Sequence, residues 1–385
     1  MRLLHTSDWH LGRSLHGQSQ LDAQAAFVDF LVEAVREEGI DAVIVCGDIY
    51  DRAIPPVEAV ELFDHALSRI ASLNVPVVMI SGNHDSASRL GFGADLMAPS
   101  GVHLRTDPAH VGSPITLADA HGDVAIYPLP YLEPELTWSS MGADAPRHEA
   151  VLTAAMAAVR ADSARRPAST RTIAMAHAFV AGAAMADPSD SERDISVGGS
   201  ALVPAAVFAG VDYAALGHLH RAQQPVSGRV AYCGSPIAYS FSEEHQTKSV
   251  SIVELGPQGV TGLELIPCPV LRPLARIQGS LHGLLTDPKW AACEGHWLAV
   301  TLTDAEAPRD PMERLRQRFA GVLHLTLAAH GHAAAGSYVQ RLAGLDDLAL
   351  MNQFVEDMWQ RPPSAGELDL LRAGLEAQRI HELTS

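Results

Sequence analysis

The sequence has few of the features that mark several common protein classes. Lysine is almost absent, because only Lys248 and Lys289 occur among the 27 basic residues and the other 25 are arginine. The four cysteines are widely separated and form no Cys-x-x-Cys pair, which excludes a zinc-ribbon or disulfide framework. No run approaches the ~18 apolar residues of a membrane span, and the first residues turn polar too early for a signal peptide. We therefore expect a cytoplasmic protein without a membrane partner.

The composition is acidic, yet it is suited to a folded core. The 385 residues include 27 basic and 45 acidic side chains, a formal net charge of −18, which argues against coating nucleic acid through bulk positive charge. Hydrophobic residues make up 47% and charged residues 19%, so most of the chain should fold. At roughly 100 to 200 residues per domain, the length predicts two or three domains.

Short apolar runs alternate with helical patterns in the first half of the chain, which is typical of a layered α/β domain. The pattern predicts strands at residues 3–4, 42–45, 75–80, 124–127, 172–176 and 213–216. It predicts helices at residues 20–38, 55–70 and 147–164. From about 229 to 267 the apolar period changes to two, which favours an antiparallel continuation of the sheet.

Prolines between residues 267 and 273 mark a boundary in the sequence. A strand–helix–strand–helix–strand pattern follows over residues 274–328, with its second helix at 311–320, and predicts a small α/β domain. Two amphipathic helical patterns then occur near 345–360 and 365–380. We divide the chain into a first domain at 1–268, a small domain at 269–340 and a helical hairpin at 341–385.

Five short segments contain residue types that bind metal ions, and each follows an expected strand. They are Asp8-Trp9-His10, Gly47-Asp48-Ile49-Tyr50-Asp51, Gly82-Asn83-His84-Asp85, His177 and Gly217-His218-Leu219-His220. Side chains at the carboxyl ends of strands in an open α/β sheet converge on one crevice. Carboxylates and imidazoles without thiolates suit manganese, iron or zinc better than a structural zinc site. A single histidine in a chain that has 19 of them usually has no special role. The five segments occur together in a fixed order, each after an expected strand, and this combination predicts a two-metal site.

These motifs resemble the calcineurin-like metallophosphoesterase superfamily. Residues 4–13, 47–56 and 233–241 are similar to the SbcD family, the nuclease subunits of bacterial SbcCD complexes. The resemblance implies an α/β fold, with a two-sheet sandwich that has helices on its outer faces. It also implies a small α/β capping domain and a C-terminal helical tail.

The resemblance also implies two Mn²⁺ ions, with Mg²⁺ as a possible substitute. Matched motif by motif, it assigns one ion to Asp8, His10 and His220, the other to Asn83, His177 and His218, and both to a bridging Asp48. The chemistry of the side chains agrees. Asp48 offers the two oxygens and negative charge that a bridge needs, whereas Asn83 offers a neutral carbonyl oxygen.

His84 is our candidate for a catalytic residue that does not bind metal. Its neighbour Asn83 is assigned as a ligand, and the next residue, Asp85, is expected to orient the imidazole and raise its basicity. His84 would protonate the leaving 3′ oxygen or stabilise the charged phosphorane. Some relatives outside bacteria have a histidine three residues after the bridging aspartate, where this chain has Asp51, so Asp51 is expected only to position His84 or a loop.

Two other groups of residues are assigned by resemblance. Arg13 and His16 follow the first strand and would contact DNA, although a solvated loop is an equally good interpretation. Apolar residues of the tail would dock on a coiled coil of the SbcC ATPase, although they would equally well pack against each other or against the small domain. These tail residues are Phe354, Met358, Trp359 and Leu371.

The leading hypothesis is a manganese-dependent DNA nuclease subunit that acts in DNA repair. As the family implies, it would be a 3′–5′ double-strand exonuclease and a single-strand or hairpin endonuclease, regulated by ATP through SbcC. It would also form a homodimer within a heterotetramer. A calcineurin-like phosphodiesterase acting on a small nucleotide or a phosphoprotein is the alternative enzyme, since the metal motifs do not choose a substrate. A non-catalytic scaffold subunit is the third hypothesis, against which the intact ligand set argues.

Overall fold

The computed structural model describes residues 1–182, 189–193, 195, 201–328, 347–359 and 361–384, without the side chains of 347, 357–359 and 376–384. It contains nineteen strands in these ranges: β1 Arg2–Thr6, β2 Ser14–Leu15, β3 Gln18–Ser19, β4 Ala42–Cys46, β5 Val77–Ile80, β6 Val102–Arg105, β7 Ile115–Asp119, β8 Gly122–Pro128, β9 Arg171–His177, β10 Val180–Ala181, β11 Val203–Pro204, β12 Tyr213–Gly217, β13 Gln223–Val226, β14 Val230–Tyr232, β15 Ser249–Gly256, β16 Gly259–Pro267, β17 Leu274–Gly279, β18 Trp297–Leu302 and β19 Val322–Leu327. The α-helices in the same ranges are α1 Leu21–Glu37, α2 Val57–Ala71, α3 Ala87–Leu90, α4 Ala94–Met97, α5 Pro134–Met141, α6 His148–Ser163, α7 Leu281–Thr286, α8 Pro311–Arg316, α9 Asp347–Trp359 and α10 Ala365–Thr384.

Two six-stranded sheets form the body of the first unit, Met1–Leu327. The first sheet has the order β16-β15-β1-β4-β5-β6, in which β1, β4, β5 and β6 are parallel and β15 and β16 are antiparallel. The second sheet has the order β13-β14-β12-β9-β8-β7, with four parallel strands between two antiparallel edges. The antiparallel continuation predicted for residues 229–267 is confirmed at β15 and β16, but it is wrong at β14, which lies in the second sheet and pairs in parallel with β12.

The inner faces of the two sheets form one apolar layer. Leu3, Ile44 and Val78 of the first sheet share a buried cluster with Ile173 and Tyr213 of the second. Strands such as β4 and β5 are rich in Val and Ile, because β-branched side chains pack well in a sheet that is buried on both faces. The predicted two-sheet fold class is therefore confirmed.

Helices cover the outer face of each sheet. Phe27 and Leu31 of α1 and Phe63 of α2 lie in the cluster on the first sheet. Val151 and Met156 of α6 lie in the cluster on the second sheet. The apolar positions of these helices recur at helical spacing, so each helix has an apolar stripe that faces the sheet and a polar stripe that faces water. The predicted helices at 20–38, 55–70 and 147–164 are confirmed within a few residues.

A separate three-stranded parallel sheet, β17-β18-β19, completes the first unit. Its core contains Leu284 of α7, Leu315 of α8 and the buried Phe319. The prediction of a helix at 311–320 was too long, because α8 ends at Arg316. The chain must turn before β19 begins, and a side chain at Gly321 would collide with the His296 carbonyl there.

The second unit, Ala328–Ser385, is described through α9 and α10, which pack against each other. At the start of α10 the Glu367 carboxylate accepts hydrogen bonds from the backbone N–H of Ser364 at 2.7 Å and from its hydroxyl at 2.8 Å, which satisfies a backbone donor at the helix N-terminus. Arg361 also donates to both Glu367 oxygens. Among the described residues we find no helix with the length and apolar character that crossing a bilayer requires.

The cluster around Phe319 generates a prediction about local stability. Phe319→Ala should lower the free energy of unfolding by about 3–5 kcal/mol, because it leaves a cavity in a closely packed core. Amide hydrogen exchange in β17, β18 and β19 should accelerate. Phe92→Ala is the matched control, since Phe92 is 85% exposed and its loss should cost less than about 0.5 kcal/mol. Unchanged exchange of these strands in Phe319→Ala would contradict the prediction.

Candidate metal centre

The candidate ligands lie where parallel strands of both sheets end. Asp8 and His10 follow β1, Asp48 follows β4, and Asn83 follows β5, all in the first sheet. In the second sheet His177 is the last residue of β9, and His218 and His220 follow β12. The sandwich thus brings the carboxyl ends of five strands from two sheets to one edge, and the structure places all seven predicted ligands there.

The first group of candidate ligands is Asp8, His10 and His220, whose ligand atoms lie within 4.8 Å of one another. The Nε2 atoms of His10 and His220 face each other at 3.1 Å. The Asp8 carboxylate accepts hydrogen bonds from the Ser7 hydroxyl at 2.5 Å and from the backbone N–H of His218 at 3.0 and 3.2 Å. All three side chains are buried.

The second group is Asn83, His177 and His218. The Asn83 Oδ1 atom lies 2.8 Å from His177 Nε2 and 3.3 Å from His218 Nδ1. His177 Nδ1 donates to the Cys46 carbonyl at 2.8 Å, which fixes the proton on that nitrogen. The other ring nitrogen of His177 is therefore directed toward Asn83 and the centre of the site.

Asp48 lies between the two groups. Its Oδ2 atom is 3.6 Å from His10 Nε2 and 3.4 Å from His177 Nε2, while its Oδ1 atom accepts a hydrogen bond from the His84 backbone N–H at 2.9 Å. The Asp48 side chain is 2% exposed. A single carboxylate thus reaches a histidine of each group, which is the position that a bridging ligand requires.

The backbone of the ligand loops is strained. Asp8, His10, Asp48 and His218 all have φ between 43° and 106°, a region that residues other than glycine rarely adopt. Such strain persists only where the surrounding structure holds it, and it concentrates at functional sites. Close packing adds a second constraint, since a side chain at Gly82 would overlap the Asp48 carboxylate and one at Gly217 would overlap the Cys46 carbonyl.

The donor set fits two divalent cations. Burial lowers the pKa values of His10, His218 and His220, so these imidazoles are neutral and keep lone pairs for a cation. The Nε2 atoms of His10 and His220, 3.1 Å apart, have the spacing of adjacent ligands around one ion, given metal–nitrogen bonds of about 2.1 Å. The set of carboxylates, imidazoles and one amide oxygen, without thiolate, suits a catalytic ion such as manganese, iron or zinc.

His84 differs from the other four histidines of the site because it is partly exposed. Its Nδ1 atom donates to the Asp51 carbonyl at 2.7 Å, and its ring centroid is 4.7 Å from that of His10. The expectation that Asp85 orients this imidazole was wrong. The Asp85 carboxylate instead accepts the backbone N–H groups of Ile49, Tyr50 and Gly82 at 2.9–3.1 Å, which ties the loop after β4 to the loop after β5.

Arg13 and His16 lie beside the site but make contacts within the protein. Arg13 donates to the Ser191 carbonyl at 2.8 Å, pairs with Asp51 at 3.6 Å, and lies 5.0 Å from the Tyr239 ring centre. His16 stacks on Phe241 and on His324 of β19. The guanidinium of Arg13 therefore forms part of the wall of the site, and a DNA contact of either residue remains a prediction.

The four partner-binding candidates are only partly described. Phe354 of α9 is 57% exposed, whereas Leu371 of α10 is half-buried and its neighbour Leu370 is 73% exposed. The side chains of Met358 and Trp359 lie outside the described residues. Leu370 is therefore a better candidate than Leu371 for an exposed contact.

Several residues of the site escaped the sequence analysis. The Gln24 amide donates to the His10 carbonyl at 2.8 Å and accepts from the Gly12 N–H at 3.0 Å. The Tyr239 hydroxyl donates to the Trp9 carbonyl. Lys248 donates to the His220 carbonyl at 2.9 Å, and Glu243 Oε1 lies 3.5 Å from His220 Nδ1. Only the rarity of lysine gave a signal for Lys248, because the other contacts join residues that are distant in sequence.

Two family models match the sequence. One, described as calcineurin-like phosphoesterase, matches residues 1–222. The other, SbcD_C, described as the type 5 capsule protein repressor C-terminal domain, matches residues 270–358. The first model covers more than half of the chain and includes every candidate ligand.

Solved structures with similar chains include proteins from distant organisms. The protein TT1561 of Thermus thermophilus is 13% identical, with a TM-score of 0.38 over 69% of this chain and 98% of that one. A dimetal phosphatase from Danio rerio, LOC 393393, is 13% identical, with a TM-score of 0.40 over 70% of this chain and 99% of that one. An archaeal phosphodiesterase is 10% identical, with a TM-score of 0.28 over 69% and 100%.

The protons of the metal-free site generate a prediction about cation binding. Burial raises the pKa of Asp8 to about 7, and although burial opposes it, the charge of Asp48 raises the pKa of His177 to about 9. A cation must displace these protons, so Mn²⁺ affinity should rise between about pH 6 and 9, by up to about tenfold per pH unit for each proton. Calorimetry in buffers of different ionisation enthalpy measures the release. Binding without proton release near pH 7 would contradict the prediction.

Proposed function

Because this chain belongs to the calcineurin-like phosphoesterase family and is a metal-dependent phosphoesterase, we propose that its substrate is DNA and its ions are manganese. The match of residues 270–358 to the SbcD_C model carries the nuclease proposal, because the metal motifs alone do not choose a substrate. We further propose a subunit like the SbcD nucleases, with an ATPase partner and a homodimeric assembly, as the family resemblance implies. The domain boundaries at 268 and 340 belong to the same proposal.

The residues of the centre would divide the chemistry between them. Asp8, His10 and His220 would hold one ion, Asn83, His177 and His218 the other, and Asp48 both. Bound cations supply Lewis-acid activation of the phosphodiester and of water. The chain itself orients the ligands: the Cys46 carbonyl fixes the tautomer of His177, and the backbone N–H of His218 fixes Asp8.

His84 would act on the leaving group. The Asp51 carbonyl accepts from Nδ1 at 2.7 Å, so the ring is held with its other nitrogen free to exchange a proton. The His84 side chain is partly exposed, so a bound substrate would reach it more easily than it would reach the four buried histidines of the site. We assign to His84, in its doubly protonated form with Nδ1–H bonded to the Asp51 carbonyl, the donation of its Nε2 proton to the leaving 3′ oxygen.

The decisive assay incubates the full chain with Mn²⁺ and blunt duplex, hairpin or single-stranded DNA. His84→Gln should bind manganese as the wild type does but lose about 10²- to 10⁴-fold in turnover, because it lacks the proton donor. Asp48→Ala should lose both metal binding and cleavage. His110→Gln is the matched control, since its side chain is 54% exposed outside the site.

Each outcome of this assay has one meaning. Full activity of His84→Gln would remove that residue from the mechanism. Manganese-dependent hydrolysis of a small phosphodiester without cleavage of any DNA, also when SbcC and ATP are present, would overturn the DNA proposal and favour a small-nucleotide substrate.

The helical hairpin would bind the SbcC ATPase through its exposed apolar residues. Phe354→Ala combined with Leu370→Ala should weaken SbcC binding at least about tenfold, because apolar anchors carry much of the energy of such contacts. Leu136→Ala is the matched control, since Leu136 is 80% exposed on α5. Titration of labelled SbcC measures the affinities. Equal affinities of the double variant and the control would contradict the proposal.

A further inference from the structure

One of the two lysines of this chain is buried behind the metal centre. Lys248 is 5% exposed, and its Nζ atom lies 2.5 Å from Glu243 Oε2, where the carboxylate is 1% exposed. Burying two charges costs several kcal/mol for each ion unless geometry and hydrogen bonds offset it. Replacement of a buried ion pair by apolar residues of similar volume is often neutral or stabilising, so packing alone does not explain the presence of this pair.

The surroundings of His220 indicate a role for this pair. The Lys248 ammonium donates to the His220 carbonyl at 2.9 Å, and the His220 backbone N–H donates to Glu192 Oε1 at 2.6 Å. His220 Nδ1 lies 2.6 Å from the Ser191 hydroxyl, which donates to Glu243 Oε1. Charged or hydroxyl side chains therefore hold the backbone N–H, the backbone carbonyl and one ring nitrogen of this histidine.

The direction of these hydrogen bonds fixes the ring. The Glu243 carboxylate can only accept, so the Ser191 hydroxyl donates to it and accepts from His220 Nδ1–H. His220 Nε2 is then left with its lone pair, and this is the atom that faces His10 Nε2 at 3.1 Å. An imidazole is a stronger ligand for a cation when a carboxylate holds the proton of its other ring nitrogen.

We propose that the buried Glu243–Lys248 pair is a positioning device for His220. The carboxylate, relayed by the Ser191 hydroxyl, holds the proton on Nδ1 and directs Nε2 into the first group of ligands. Lys248 balances the charge of the carboxylate and fixes the backbone at His220. The inference rests on the proposed metal site but is independent of the proposed DNA substrate.

The test replaces both charges in the full chain. Glu243→Gln combined with Lys248→Met removes the ion pair without leaving one buried charge unpaired, so the metal-free melting temperature should stay near that of the wild type. One Mn²⁺ should bind as in the wild type and the other about 10- to 100-fold more weakly. Calorimetry gives the two affinities, and the electron paramagnetic resonance spectrum of Mn²⁺ reports the altered ligand field. Glu264→Gln, on the exposed face of β16, is the control.

If the double variant does not fold, a milder variant tests the positioning role of the Glu243–Lys248 pair. Ser191→Ala keeps both buried charges and removes the relay, which leaves His220 Nδ1 only its longer contact of 3.5 Å with Glu243 Oε1, so it should weaken the same ion by about tenfold with little change in melting temperature. Wild-type affinity for both ions in either folded variant would overturn the inference. A wild type that binds fewer than two ions would also overturn it, whereas two bound ions without DNA cleavage would overturn only the DNA proposal.

Discussion

The carboxylate of Asp48 contacts both groups of candidate ligands. Because it is buried, the protein must stabilise its negative charge away from water. Burial alone would raise its pKa, but the charge and hydrogen bond of His177 hold it well below the usual range. The anion is thus kept inside the protein by an imidazole of the second sheet, although Asp48 belongs to the first. This contact requires the two sheets to meet at one edge, and the Asp48 carboxylate occupies the space that a side chain at Gly82 would need.

The sequence was sufficient for the features that depend on local pattern. Residues such as Asp8, Asp48 and His177 follow apolar runs, and parallel strands must end at a common edge, so their convergence could be predicted without coordinates. Contacts that depend on side-chain direction could not be predicted in this way. Asp85 is adjacent to His84 in sequence, yet its carboxylate turns away to three backbone amides, because these N–H groups of the tight loops have no partner in a strand or helix.

The acidic composition is a weak guide to what the centre binds. Asp8 and Asp48 contribute to the net charge of −18 but are buried among imidazoles, where two dications would offset them. The charge that a phosphate meets is therefore set locally, by the ions and by Arg13 in the wall of the site. The remaining acidity acts at longer range, so DNA binding by this chain alone would be weak and sensitive to salt.

The surroundings of position 248 explain why this arginine-rich chain has a lysine there. Four oxygen atoms surround Nζ within 3.0 Å: one carboxylate oxygen of Glu243, the carbonyl of His220, the hydroxyl of Ser235 and the amide oxygen of Gln246. A compact ammonium with three rotatable donors suits acceptors that converge from different directions on one point. A planar guanidinium would spread its donors over a wider fork and would not match acceptors that converge on one point. The geometry of one ligand thus depends on the shape of the cation behind it as well as on its charge.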